Sequence, residues 1–555
     1  MTHHPSIMKH FFHFIPLALI IGLTGSTFIS CSSSHKPVIE KRAEMPTNYP
    51  KTSGPILQKL SNSIPDDAQM LAFTSYGNIT ELIASFDKYQ IVDSNDLKNT
   101  LNDLGKHYLL NIGKLKDYYD AGMNTASGLV AGYRDDNLFF VLDTLDNNLF
   151  KKWMDNLINE EYGRPTYHES VEDNHTFIEI TVLHKDFCTM VITPDEPVLL
   201  VMGPKILPES APSLTTAKAI VSQHKLGPNA EKIIQTTNDS PVSIWLNSHS
   251  TLLSQVPKDI RQTITEWISS ITLNLVLPEK GPEVNLVARY QDDTYQNIPR
   301  GIYISSLLSG TNAKHAQAIL SSNPVSTFRL FTHNEELESI LLPLLPEETR
   351  NTYTNVKTKL TQKIIGLDVS QQIIYNIGAW WIALYSEDNN ELTDKQLSFT
   401  DSLLKQKIAI YIPFKNTKNA DSFFNKVNVL KRFVPENMAT IEQDNDILHA
   451  RMKYQQNILH AGYSGGMLVI STDSAWTQAN QVITLSDAPA IQSDLSDETK
   501  CLASHINLNH LTQMPDFQNT IIYSTLKKLP DKYQSIDIQS SSNESMLNFT
   551  IKLSH

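Results

Sequence analysis

Gly462-Tyr463-Ser464-Gly465-Gly466 fits the G-x-S-x-G pattern of a nucleophile elbow, in which a serine sits exposed on a sharp turn between a strand and a helix. That chemistry needs a helix directly after the serine. Here Met467-Leu468-Val469-Ile470 follows as an apolar, strand-forming run, so the spacing predicts a hairpin turn with glycine at positive φ. His168, His175, His184, His505 and His510 also carry chemistry, yet they form no short ligand pair with a companion carboxylate and no H-E-x-x-H. Polar strand faces account for them. Asp135-Asp136 and Asp292-Asp293 lack the regular loop that calcium requires and read as turn residues. No Walker loop, dinucleotide fingerprint or paired carboxylates stand out. The sequence therefore assigns no catalytic residue, no metal site and no cofactor, and the expectation is a protein that is not an enzyme.

Cysteine chemistry is confined to Cys31, Cys188 and Cys501. No C-x-x-C pair exists, which removes thiol redox exchange and a cysteine-based zinc site. Cys188 and Cys501 fit two buried free thiols or, alternatively, one long-range disulfide. Cys31 is different. It ends an apolar stretch that runs from about Phe11 to Ile29 behind Lys9, with the small Ser30 before it and Ser32-Ser33-Ser34 after it.

Those residues resemble a bacterial lipoprotein signal, although Phe28 stands where an aliphatic side chain is usual. The resemblance implies cleavage before Cys31 and acylation of that residue with diacylglycerol and a further acyl chain such as palmitate. Two or more chains anchor a protein stably, at about 0.8 kcal/mol per buried methylene. Ser32 in place of Asp implies the outer membrane, with the protein facing the periplasm. Residues 1–30 are then the signal, and Cys31 is the membrane partner site.

The 555-residue chain carries 46 basic and 59 acidic residues, for a net charge of -13, which opposes nucleic-acid binding. Its 41% apolar content supplies ample core for more than one domain. Residues 31–63 contain Pro37, Pro46, Pro50 and Pro55 and few large apolar side chains, which predicts an extended tether.

From Ile64 onward, landmarks recur in order. Met70 to Phe73 parallels Phe328 to Phe331, and Gly128 to Asn137 parallels Trp380 to Asn389, both ending Tyr-x-acidic-Asp-Asn. Phe139 to Leu142 followed by a helix over Leu149 to Leu157 parallels Ala409 to Ile412 followed by a helix over Ala420 to Val427. Val198 to Met202 matches Met467 to Ile470, Val242 to Asn247 matches His505 to Asn509, and Val284 to Ala288 matches Leu547 to Ile551. The fold class that follows is α+β. Two tandem homologous modules, 64–300 and 301–555, each hold a largely antiparallel sheet with a few helices covering one face.

With its Ile64-Pro65-Asp66-Asp67-Ala68 opening, Cys31 and the strand-turn-helix at Phe139 to Leu157, the chain resembles a group of bacterial lipoproteins that alternate strand with helix after Ile-Pro-x-Asp-Ala. That resemblance implies fold and location, and carries no catalytic residues to transfer.

Adjacent Trp380 and Trp381 on one strand point to opposite faces. Grouping Trp380 with Ile382 and Leu384 as the buried face leaves Trp381, Ala383 and Tyr385 on the other, opposite in the repeat to Leu129, Ala131 and Tyr133. Trp381 and Tyr385 are thus the candidate binding surface, unless helices or the other module cover them. The expected role is a lipid-anchored envelope protein that binds another envelope protein or serves structurally. A carrier of amphipathic ligands in an apolar cavity and a hydrolase assembled from distant residues are the alternatives.

Overall fold

The computed structural model describes residues 45–46, 48–89, 114–208, 210–255, 258–276, 282–295 and 298–299, then 326–331, 350–351, 354–355, 373–385, 407–430, 439–444, 447–454, 457–464, 466–472, 500–509 and 533–554. The chain divides into two compact modules, Met1–Arg289 and Tyr290–His555, so the boundary falls before the expected 300/301. Both are α+β with large antiparallel sheets.

In the N-terminal module, helix α1 (Gly54–Leu60) precedes β1 (Met70–Ser75), α2 (Tyr76–Tyr89), α3 (Leu115–Asp120), β2 (Gly128–Arg134), β3 (Asn137–Leu142) and α4 (Asn147–Glu161). Then come β4 (Pro165–Glu172), β5 (His175–Val182), β6 (Lys185–Ile192), β7 (Val198–Met202), α5 (Ser213–Ser222), α6 (Ala230–Ile234), β8 (Val242–Asn247), α7 (Lys258–Trp267), β9 (Ile268–Val276) and β10 (Glu283–Tyr290). The sheet order is β4-β5-β6-β7-β3-β2-β1-β8-β9-β10. A short hairpin, β11 (Thr294–Tyr295) and β12 (Ile298–Pro299), follows.

The C-terminal module contains β13 (Ser326–Phe331), β14 (Ala379–Tyr385), β15 (Lys407–Pro413), α8 (Thr417–Leu430), β16 (Ala439–Asp444), β17 (Ile447–Tyr454), β18 (Asn457–Ser464), β19 (Met467–Ser471), β20 (Lys500–Asn507), β21 (Ser535–Ser542) and β22 (Met546–Ser554). Its order is β16-β17-β18-β19-β15-β14-β13-β20-β21-β22. Adding twelve to each strand number of the first sheet reproduces the second. One topology, used twice, is what the ordered landmarks predict.

Helices cover both faces of the first sheet, not one. On one face α4 sets Phe150, Met154 and Ile158 against Leu129, Ala131, Phe140, Leu142 and Leu200, with Tyr76 and Tyr118 alongside. On the other, Ile56, Leu57 and Leu60 of α1, with Ala217 and Ile220 of α5, pack on Leu71, Phe73, Val130, Val141 and Leu199. Central strands that are continuously apolar, such as Leu129-Val130-Ala131, have two faces to bury. One helix layer leaves half of that surface wet.

The tether is correspondingly shorter than expected. Gly54–Leu60 is helical, and Ile56, Leu57, Leu60 and Ile64 are buried, so the folded part starts by Ser53 instead of Ile64. Pro55 was a linker signal in the sequence, but at the first turn of a helix proline loses no intrahelical bond and fixes a helical φ.

Candidate functional site

Ser464 ends β18 and pairs with Met467 at the start of β19, so the G-x-S-x-G segment lies on a hairpin between strands. Gly466 has φ +83°, a conformation open to glycine and strained for other residues. Its counterpart in the first module, Thr193 to Pro197, likewise joins β6 to β7, with Asp195 at φ +60°. A strand follows each turn, as the sequence predicts, and the geometry of a nucleophile elbow is missing.

The Asp135-Asp136 pair sits at φ +45° and +62° in the two-residue loop joining β2 to β3, the left-handed pair that a tight hairpin requires. His175 Nδ1 lies 2.6 Å from Thr193 Oγ1, and His184 sits in the β5–β6 turn. Among the described residues, no three His, Cys, Asp or Glu side chains gather as a metal cluster.

One polar pair leaves no signal in the sequence. His505 Nδ1 on β20 lies 2.6 Å from Asp537 Oδ1 on β21, and Ser554 Oγ donates to Asp537 Oδ2 at 2.5 Å. Burial pushes the Asp537 carboxyl up, but hydrogen bonds from His505 and Ser554 outweigh it and hold the group below the usual carboxylate range. In the repeat, the register places Trp245 and Thr272 at these positions. No spacing rule links residues 505 and 537; only strand pairing brings them together. Ser554, and Ser535 at 3.4 Å, donate to the carboxylate, and among the described residues no serine bonds to the imidazole, so the cluster lacks the base-to-nucleophile hydrogen bond of a hydrolytic triad.

A second pair gives the Ile-Pro-x-Asp-Ala opening a structural meaning. Ile64 and Ala68 are buried, while Asp67 receives the nearly buried Arg134, whose Nε lies 2.8 Å from Oδ1. Cys188 is a buried free thiol, and burial pushes its pKa above the ordinary range, which makes it a poor nucleophile.

Trp381 and Tyr385 belong to β14, and the backbone of Trp381 pairs with Arg329 on one side and Tyr411 on the other. Their side chains lie outside the described residues, as do Cys31, His510 and the side chain of Cys501. The helix after β3 and β15 fixes how the two copies align. Phe150 and Ala420 are both buried, four residues after the capping Asp146 and Asn416. Tyr411 then matches Val141, and Trp381 matches Val130, not Leu129. Tyr385 matches Arg134. The shared Tyr-x-acidic-Asp-Asn ending invited a slip of one residue, and one residue on a strand exchanges the faces. In the first module the face that holds Val130 is covered by α1 and α5, and Val130 is 0% exposed.

No family model matches the chain, and no curated protein matches it. Among solved structures it is similar to crystal forms I, III and IV of TP0453, at 12%, 10% and 8% identity with TM-scores of 0.24, 0.23 and 0.23. Forms I and III cover 45% of this chain and 86% of their own, and form IV 41% and 79%. At that identity and score the likeness assigns neither family nor activity. Among the described residues no helix is long and apolar enough to cross a membrane.

Proposed function

We propose that the protein is a lipid-anchored component of the bacterial envelope, held through Cys31 at the periplasmic side of the outer membrane, with a non-enzymatic binding or structural role. The observation that carries this reading is one strand order repeated with different side chains at matched positions. Trp245 and Thr272 become His505 and Asp537, and Arg134 becomes Tyr385. A retained scaffold with altered side chains suits recognition better than one reaction performed twice. Packed side chains fill both faces of the first sheet, which favours contacts on the outside over a ligand cavity between sheet and helices there.

Two measurements test it. Globomycin should cause the uncut precursor to accumulate, and a mature protein without lipid on Cys31 would end the anchoring half of the reading. Photo-crosslinking from Tyr385 in intact cells should capture a discrete envelope component. Capture of nothing, there and across the outer surface, would count against binding.

A further inference from the structure

The segment that leads from Cys31 into the first module is fastened before the fold begins. Thr125 Oγ1 donates to the Pro46 carbonyl at 3.3 Å. Next, the Tyr49 ring lies against Gly77 in the first turn of α2, so closely that a Cβ on Gly77 would collide with it. The Tyr49 hydroxyl donates to Glu81 one turn further along, and Lys51 Nζ donates to the same carboxylate at 2.7 Å while standing 4.0 Å from the Tyr49 ring centroid. Finally, the Ser53 N–H donates to the Ser240 carbonyl at 2.7 Å, and its hydroxyl lies 2.8 Å from Ser243 Oγ in the buried interior. Four successive attachments fall within eight residues of a stretch with the composition of a linker.

We propose that Pro46 and residues 48–53 form a strap latched onto the first module, with Gly77 as the notch that admits Tyr49, and that this latch fixes where the anchoring chain leaves the module. Gly77 has no Cβ, and that missing atom leaves the room that the Tyr49 ring occupies. The consequence for the anchor rests on lipidation of Cys31. A chain free up to Ser53, where the folded part starts, would reach about 75 Å when extended, whereas one latched at Pro46 reaches about 50 Å. The latch shortens the standoff by about a third and makes the membrane-facing end of the module the one that carries Pro46 and Tyr49.

Trypsin digestion of the full-length membrane-held protein, with mass spectrometry of the released module, tests the strap. Lys41 and Arg42 lie before it and Lys51 lies within it. Wild type should yield a fragment that begins at Ala43, with cleavage after Lys51 slower by about tenfold or more. Gly77→Ala should speed cleavage after Lys51 by a similar factor, and Tyr49→Ser should do the same without touching α2. Equal rates at Arg42 and Lys51 in wild type, or no acceleration in either variant, would overturn the strap. Absence of lipid on the released peptide containing Cys31 would instead remove the anchor and leave the strap standing, so the two ideas fail separately.

Discussion

Arg134 Nε lies 2.8 Å from Asp67 Oδ1, and the two ends of this ion pair live in different surroundings: the Arg134 side chain is 7% exposed and the Asp67 side chain 46%. Removing the outer partner leaves a buried cation with only the more distant Asp135 carboxylate, 3.6 Å from Nε, whereas removing the inner one leaves a carboxylate that water can solvate. Asp67→Ala should therefore cost more, about 1–3 kcal/mol, than Arg134→Met, expected near or below about 1 kcal/mol. Urea unfolding of the full chain measures both. Equal losses would show that the asymmetry of burial does not set the energetics of this pair.

Phe150 is fully buried beneath α4, and its counterpart in α8 is Ala420. Phe150→Ala should destabilise the first module by about 3–5 kcal/mol through lost burial and a cavity. Ala420→Phe should destabilise the second by about 1–3 kcal/mol, because Phe414, Phe424 and Tyr463 already fill the space that the larger ring would need. Intrinsic fluorescence and calorimetry of each variant resolve which transition moves. A swap with no cost would mean that the two helices are not seated alike.

The hairpin at Ser464 makes a paired prediction. Gly466→Ala adds a Cβ at φ +83° and drives it into Thr417, which should cost about 1–2 kcal/mol of stability. Ser464→Ala should leave hydrolysis of a generic ester at the level of wild type. Loss of a measurable hydrolase activity on Ser464→Ala would restore the nucleophile reading.

Asp537 predicts an acid response. Its pKa is lowered in the folded chain, so its contribution to stability is present above its unfolded value of roughly 3.9 and is lost as pH falls through the lower folded value. Below both, the contribution is gone. Asp537→Asn should therefore reduce stability at neutral pH and flatten the decline in that acid window, as followed by circular dichroism at stepped pH. An acid limb with the same slope in wild type and variant would show that Asp537 is not its source.

Much of the fold was legible because apolar runs and turn residues act locally. Phe139 to Leu142 reads as a strand, Asp135-Asp136 as a tight turn, and the strand-forming run after Ser464 argues against an elbow. The order of such landmarks, repeated, already implied two modules. What the sequence left open was which face each run meets, since Val130 and Leu129 are equally apolar. The structure placed them under different helices, added α1 to the fold, and moved Trp381 from the position of Leu129 to that of Val130. Polar partnerships were decided at the same level. Arg134 with Asp67, His505 with Asp537 and Tyr49 with Gly77 are each joined across dozens of residues. Local pattern fixes the period and the ends of an element through backbone sterics and hydrogen bonding. Register and packing between distant elements depend on the whole set of neighbours, and only the folded chain contains that set.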